Sequence, residues 1–540
     1  MARARPRVVH ATRVGSADRT RTGSAVRAGV GVLAGILAVL AGPARAEDDA
    51  VADAALRRLR GSLERILEAP QLDGALTGVH VRRLSDGKTL FERNGDKLFN
   101  PASNMKLLTT AAALWYLGPT YTFRTHVRRA PEMTEGVVKG DLFVEAKGDP
   151  TLTTEAMFGL ANDVAMSGVR VVEGDLVVDD RFFDAVTEGP GWEQEVGDHT
   201  YNAPVGAFSA NFNTFEARVT PGDFPGAPAR LALWPDVPSL TGEITATTSG
   251  PGTLTRLWFG TTRTDDDGVQ VTIRGTIAAD DAYGRTLRRR IHDPFTFTGE
   301  MLLRVLALRG VEVKGKLRRG EMDVGGTVPV ATRYSEPLAE IISVLNKYSN
   351  NFVAEQILKT LAAELEGPPG TWESGARVLS RFLTEVGIRE GAYVLGNGSG
   401  LNDVNRVTPE QITRVLDVMH DRFELRAEYV ASLAVAGSSG TIVSRFEDSV
   451  AISRLRAKTG SLTGVSALSG YVVTQDEEVL AFSVMMNDYP GRASAMWTIQ
   501  DRIGIALAEM DGLEAVSLSE PRPRAGREGG AGVTAAGVAP

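Results

Sequence analysis

The sequence predicts an α+β fold in which the two ends of the chain share one antiparallel sheet, flanked by helices and interrupted by a large, mostly β insertion. Three observations predict it. A helix followed by a β-hairpin opens the chain, a β-hairpin followed by a helix closes it, and the 200 or so residues between about 120 and 330 change character to short β-prone pieces separated by turns.

The elements follow in order. Leu56, Leu59, Leu63, Ile66 and Leu67 recur at helical spacing within 48–68. Thr77 to Leu84 and Thr89 to Arg93 flank Ser85-Asp86-Gly87-Lys88, a hairpin with a glycine in its turn. Pro101 precedes the helix-forming run Leu107 to Leu117, which places Ser103 at or near a helix start. In the middle region Gly140-Asp141-Leu142-Phe143-Val144 returns as Gly174-Asp175-Leu176-Val177-Val178 across a helical stretch near 153–167, a strand–helix–strand unit. Residues 215–290 show few helix signals. Amphipathic helices return at Pro337–Leu345, Asn351–Leu365, Trp372–Val386 and Pro409–Met419. Ser466–Val473 and Val479–Asn487 form the closing hairpin, ahead of a helix over about 492–510.

These elements divide the chain into a leader (1–46), a first catalytic part (47–121), an inserted β-rich region (122–330), a second catalytic part (331–512) and a Pro/Gly/Ala/Arg-rich tail (513–540). The leader reads as an export signal: arginines, an apolar run from Ala28 to Ala41, and Ala44-Arg45-Ala46 as a small-x-small cleavage site. Without its eight arginines and one aspartate the net charge of −8 becomes −15. An acidic chain with no basic stripe argues against nucleic acid as a partner, and no later stretch is long and apolar enough to read as a membrane span. There is no cysteine, which excludes disulfides and thiol chemistry, and the six histidines are scattered without metal-ligand spacing. No cofactor is expected.

Three short stretches carry chemistry. Ser103 and Lys106 lie one helical turn apart, so a hydroxyl and an amine share a face, as a nucleophile and its base require. Ser349 and Asn351 stand ahead of an amphipathic helix, a hydroxyl able to pass a proton and an amide able both to donate and accept. Lys458-Thr459-Gly460-Ser461 precedes the Ser466 strand. The Lys and Thr suit a carboxylate, and Gly460 suits close approach by a substrate backbone. Each stretch alone reads first as a helix cap, a surface amine or an exposed strand start. Together and in this order they supply nucleophile, base, proton relay and carboxylate clamp.

On these stretches the chain resembles the class C low-molecular-mass penicillin-binding proteins, the D-alanyl-D-alanine carboxypeptidase/endopeptidase family, over roughly residues 50–510. Gly148-Asp149-Pro150-Thr151-Leu152, Tyr201-Asn202-Ala203-Pro204, Asn211-Phe212-Asn213 and Gly398-Ser399-Gly400-Leu401 add to the likeness. The resemblance implies a penicillin-binding/serine β-lactamase-like catalytic domain and an acyl-enzyme at Ser103, with Lys106 as base and Ser349 as relay. It also implies that Asn351, Lys458, Thr459, Gly460 and Ser461 bind substrate, with the backbone N–H groups of Ser103 and Ser461 as oxyanion hole. Lys106 must be neutral to act, and burial together with the charge of Lys458 is expected to make it so. Asp149 is expected to meet the amine end of a stem-peptide side chain. Asp403 stands where members often carry Arg, with Arg406 three residues on. Peptidoglycan stem peptides and β-lactams are the implied partners. A serine β-lactamase and a non-enzymatic cell-wall-binding protein are the alternatives. Carboxypeptidase and endopeptidase action stay open.

Overall fold

The computed structural model describes residues 53–194 and 197–512; the leader and the tail lie outside them. Both chain ends meet in a six-stranded antiparallel sheet. Its order is Ala434–Val435, Leu455–Leu462, Val465–Val473, Val479–Asn487, Leu76–Arg83 and Thr89–Arg93. The closing strand lies against the opening one, with Val79 opposite Val484.

Period-2 alternation gives each face of the sheet its own core. Leu480, Phe482, Val484 and Met486 point to one side, where Leu59, Leu63 and Ile66 of the 53–67 helix meet Ile499 and Ile503 of Ala493–Ala508. Ala481 and Met485 point to the other, toward a layer of helices: Met105–Leu117, Leu338–Tyr348, Asn351–Glu366, Trp372–Glu385, Pro409–Asp421 and Phe423–Ser432. The sheet is therefore buried on both faces, which is why its central strands read as near-continuous apolar runs.

The Lys458 stretch is not a lead-in to the closing hairpin. It forms its own strand, Leu455–Leu462, paired with Val465–Val473 so that Lys458 faces Ser469. Phe423–Ser432 is a helix that the sequence reading did not anticipate.

The stretch from Arg124 to Tyr334 builds four further sheets. The expected strand–helix–strand unit is present: Leu142–Ala146, Thr154–Met166 and Leu176–Asp179, with Leu142 opposite Leu176 in parallel. A third copy follows, Glu312-Val313-Lys314-Gly315-Lys316-Leu317, whose Leu317 pairs in parallel with Leu176. The copies stack through their glycines: a Cβ on Gly174 would overlap the Gly140 backbone, and one on Gly315 the Gly174 backbone. Asp141 Oδ1 accepts from Asp175 N (2.7 Å), Asp175 Oδ1 accepts from Lys316 N (2.8 Å), and Arg318 bridges both carboxylates. A second helix in this stretch, Pro294–Leu308, is capped by Asp293 and packs Met301, Leu302 and Val305 into the same core as Met157 and Leu160.

Candidate active site

The helix Met105–Leu117 starts from a 3₁₀ turn, Ala102–Asn104, that carries Ser103. Main-chain contacts hold this turn. Ala102 sits at φ +44°, and its N–H is taken by Asn100 Oδ1 at 2.9 Å. A Cβ at Gly400 would overlap the Ala102 carbonyl oxygen, and one at Gly460 would lie 2.8 Å from Pro101 O and 3.1 Å from Ala102 Cβ. Gly460 thus lets the Leu455–Leu462 strand close on the turn that carries Ser103. Protein fills the side on which a Cβ would stand.

Lys106 is wholly buried. Its Nζ lies 2.9 Å from Ser103 Oγ, 2.6 Å from Asn351 Oδ1 and 2.7 Å from Ser399 O. Burial pulls its pKa down to about 7, against the charge of Glu355, which acts to raise it. Burial, not Lys458, is the cause. The repulsion falls on Lys458, also wholly buried, whose pKa is driven well down by burial and by the charge of Lys106.

Lys458 Nζ donates to Ser349 Oγ at 2.8 Å and to Thr459 O at 2.9 Å. Ser349 ends the helix Leu338–Tyr348 at φ +61°, a left-handed conformation that costs a non-glycine residue on the order of 1 kcal/mol. That turn points its hydroxyl at Lys458. Asn351 begins the next helix, with Asn350 as its N-cap. The Asn351 amide has two protein partners, Lys106 through Oδ1 and Tyr201 O through Nδ2 at 2.8 Å. Thr459 is half-buried, and its hydroxyl donates to Thr441 Oγ1 at 2.8 Å. Ser461 is exposed near the end of its strand, opposite Ser466. On its outer edge this strand pairs Ala434–Val435 only at Ala457 and Arg456.

So Lys106 with Ser103 and Asn351, and Lys458 with Ser349, form two hydrogen-bonded groups, coupled by the charge of Lys106 acting on Lys458, with Thr459, Gly460 and Ser461 on the strand that carries Lys458. Asp149 is not brought into this network. It is buried, its Oδ1 accepts from Thr151 N and Oγ1 (2.8 and 2.7 Å), and its Oδ2 lies 3.3 Å from Arg333 Nε. Asp403, at the position of the family's Arg, pairs with Arg406 at 2.8 Å and accepts from Asn100 Nδ2. Its charge is therefore balanced locally.

The sequence reading missed Glu355. This buried carboxylate accepts from Ser399 N (2.8 Å), Gly398 N (3.0 Å) and Trp372 Nε1 (2.9 Å), and so fixes the loop whose Ser399 carbonyl faces Lys106. The signal was present, since Glu355 follows Asn351 by four residues on one helix face. Among the described residues no group of acidic and histidine side chains could hold a metal ion.

Comparison with known proteins gives the family. The family model for D-Ala-D-Ala carboxypeptidase 3 (S13) matches residues 59–509. The chain is 35% identical over 486 residues to the D-alanyl-D-alanine carboxypeptidase of Actinomadura sp. (strain R39), covering 86% of this chain and 88% of that one. It is 26% identical over 421 residues to a D-alanyl-D-alanine carboxypeptidase of Haemophilus influenzae, covering 77% and 86%. The fold matches the crystal structure of penicillin-binding protein 4 from Haemophilus influenzae with a TM-score of 0.71 at 24% identity, over 82% of this chain and 97% of that one. The chain belongs to the D-Ala-D-Ala carboxypeptidase 3 (S13) family, among the class C low-molecular-mass penicillin-binding proteins, and is a serine-type D-Ala-D-Ala carboxypeptidase.

Proposed function

We propose that Ser103 is the nucleophile and Lys106 its general base. The carrying observation is the set of partners around Lys106 Nζ. A neutral amine has two N–H donors and one lone pair. Asn351 Oδ1 and Ser399 O are pure acceptors and take the two N–H groups. The lone pair is left for the Ser103 hydroxyl proton. Burial supports the same state by bringing the amine down to about 7, within reach of neutral solution.

Ser103 Oγ then attacks the carbonyl of the penultimate D-Ala of a peptidoglycan stem peptide, and Lys106 takes its proton. The N–H groups of Ser103 and Ser461 receive the oxyanion. Lys458 and Thr459 hold the terminal carboxylate, and Ser349 relays to the departing D-Ala amine the proton that Lys106 took from Ser103, which leaves Lys106 neutral again. The Asn351 amide N–H exchanges the Tyr201 carbonyl for a substrate carbonyl. The outer edge of the Leu455–Leu462 strand beyond Ala457 offers main-chain groups to an extended substrate. Water releases the acyl group, and internal cross-links enter the same site as endopeptidase substrates. A β-lactam acylates the same serine; the Haemophilus relative has been solved complexed with one.

We read residues 47–121 and 331–512 as one catalytic domain interrupted by the insertion. The pairing of Val328–Tyr334 with Arg124–Arg129 favours an insertion end just after Tyr334. The arginine-rich leader supports export.

The test is fluorescent-penicillin labelling with Ser103→Ala. Labelling and D-Ala release both disappear. A persisting covalent adduct reassigns the nucleophile.

A further inference from the structure

Thr441 stands beside the strand that carries Lys458 and Thr459. It lies in the short turn Gly440–Ile442, which follows the edge strand Ala434–Val435. Two contacts set the place of this turn. Val435 N donates to Ser439 Oγ at 3.2 Å. Gly440, at φ +63°, comes so close to the end of the helix Leu338–Tyr348 that a Cβ on it would lie 2.6 Å from Lys347 O. The turn therefore packs both on the helix that leads into Ser349 and on the Leu455–Leu462 strand.

Thr441 is exposed, so burial gives its hydroxyl no need of a protein partner. It has one all the same: Thr459 Oγ1 donates to Thr441 Oγ1 at 2.8 Å. A hydroxyl has one proton to give and two lone pairs with which to accept. With its proton on Thr441, Thr459 has none for a substrate carboxylate. Two O–H rotations release that proton without moving a heavy atom. Thr441 turns to donate to Thr459 Oγ1, and Thr459 turns to donate outward.

We propose that Thr441 is a positioning residue for the terminal carboxylate of the substrate, acting through Thr459. The inference rests on the reading of Lys458 and Thr459 as the carboxylate clamp. When a free carboxylate arrives, the hydrogen bond between the two threonines reverses. Thr441, Thr459 and the carboxylate then form one chain of donors, in which each bond polarises the next and the Thr459 hydroxyl is held in a single orientation. A terminal carboxamide has no negative charge to draw the chain over, so it gains little from Thr441.

The experiment measures kcat and KM on an acetylated tripeptide ending in D-Ala-D-Ala and on the same peptide as its terminal carboxamide. Thermal unfolding reports that each variant is folded. Thr441→Val keeps the shape of the side chain and removes the hydroxyl. It raises KM for the free acid by about three- to tenfold, the worth of one hydrogen bond, with kcat held within about twofold. The carboxamide loses at most about twofold. Thr441→Ser restores the KM of the unaltered enzyme, which a loss of packing alone does not allow. Thr459→Val, made beside them, tests the clamp itself and also weakens the acid more than the carboxamide. If Thr459→Val shows that preference and Thr441→Val does not, or if Thr441→Val slows both peptides alike, or if serine fails to rescue, the role of Thr441 is overturned while the clamp stands. If Thr459→Val affects acid and carboxamide equally, the clamp reading fails and takes this inference with it.

Discussion

Lys106 and Lys359 are both wholly buried lysines, and they are solvated in opposite ways. Lys359 donates to Asp184 Oδ1 at 2.6 Å and lies 4.0 Å from the Trp372 ring, so a carboxylate and a π-face stabilise its cation. Lys106 has only neutral oxygens within hydrogen-bond reach. Burial lowers the pKa of both, but at Lys359 the adjoining Asp184 pushes back. The difference separates a lysine that ties the structure together from one kept ready to lose its proton.

Removing each amine breaks the comparison most sharply. Lys106→Met slows penicillin acylation by about 10²–10⁴-fold, the usual span for a general base. Lys359→Met leaves Asp184 without its partner and lowers stability by about 3 kcal/mol, at the lower end for a broken buried pair because Asp184 is partly exposed. Acylation per folded molecule is unchanged. Stopped-flow labelling and urea melts on both variants check this, and comparable slowing of acylation in both would erase the distinction.

Giving Lys106 the kind of neighbour Lys359 has sharpens the comparison. In the unaltered protein the ammonium form has no lone pair, so acylation rises with pH through about 7. Asn351→Asp sets a carboxylate against Nζ and favours the cation, moving that limb upward by about 1–3 pH units. A limb that stays in place means the lysine titration does not govern acylation.

A third buried base tests whether neutrality alone makes a catalyst. His80 lies in the sheet between Thr413 Oγ1 (2.7 Å) and Thr89 Oγ1 (3.2 Å), and burial with the charge of Arg82 lowers its pKa to about 4. Between about 6.5 and 4 the unfolded chain takes up a proton that the native one refuses. Stability therefore falls as the pH drops below 6.5, by up to about 3 kcal/mol, and this contribution levels off below 4. His80→Gln flattens that part of the stability profile without moving the acylation limb. An unchanged slope removes His80 from the account.

The sequence made the cluster legible because its parts are local. Ser103 and Lys106 are one turn apart, Ser349 and Asn351 two residues apart, and Lys458 to Ser461 contiguous. The shared sheet was legible from matching hairpins at the two ends. What stayed hidden depends on tertiary contact. Ser399 acts through a carbonyl, which no side-chain pattern encodes. The third Gly-x-Leu copy escaped because Lys316 replaces the aspartate that marks the other two. The helix Pro294–Leu308 did have a local sign in Asp293-Pro294, a cap and a first-turn proline, overlooked amid β-prone surroundings. The task of Gly460 could be assigned only once Pro101 and Ala102 were seen against it.

The contact of Gly400 and Gly460 with the Ser103 turn has a consequence for how this enzyme can change over generations. Two glycines sixty residues apart grip the same short piece of backbone, one through the Ala102 carbonyl and the other through Pro101 and Ala102. An alanine at either position displaces the same atoms, so mutations there are not independent events. The grip does not read side chains at the rim of the cleft. A lineage can therefore vary side chains that do not touch this turn while the serine stays where it is.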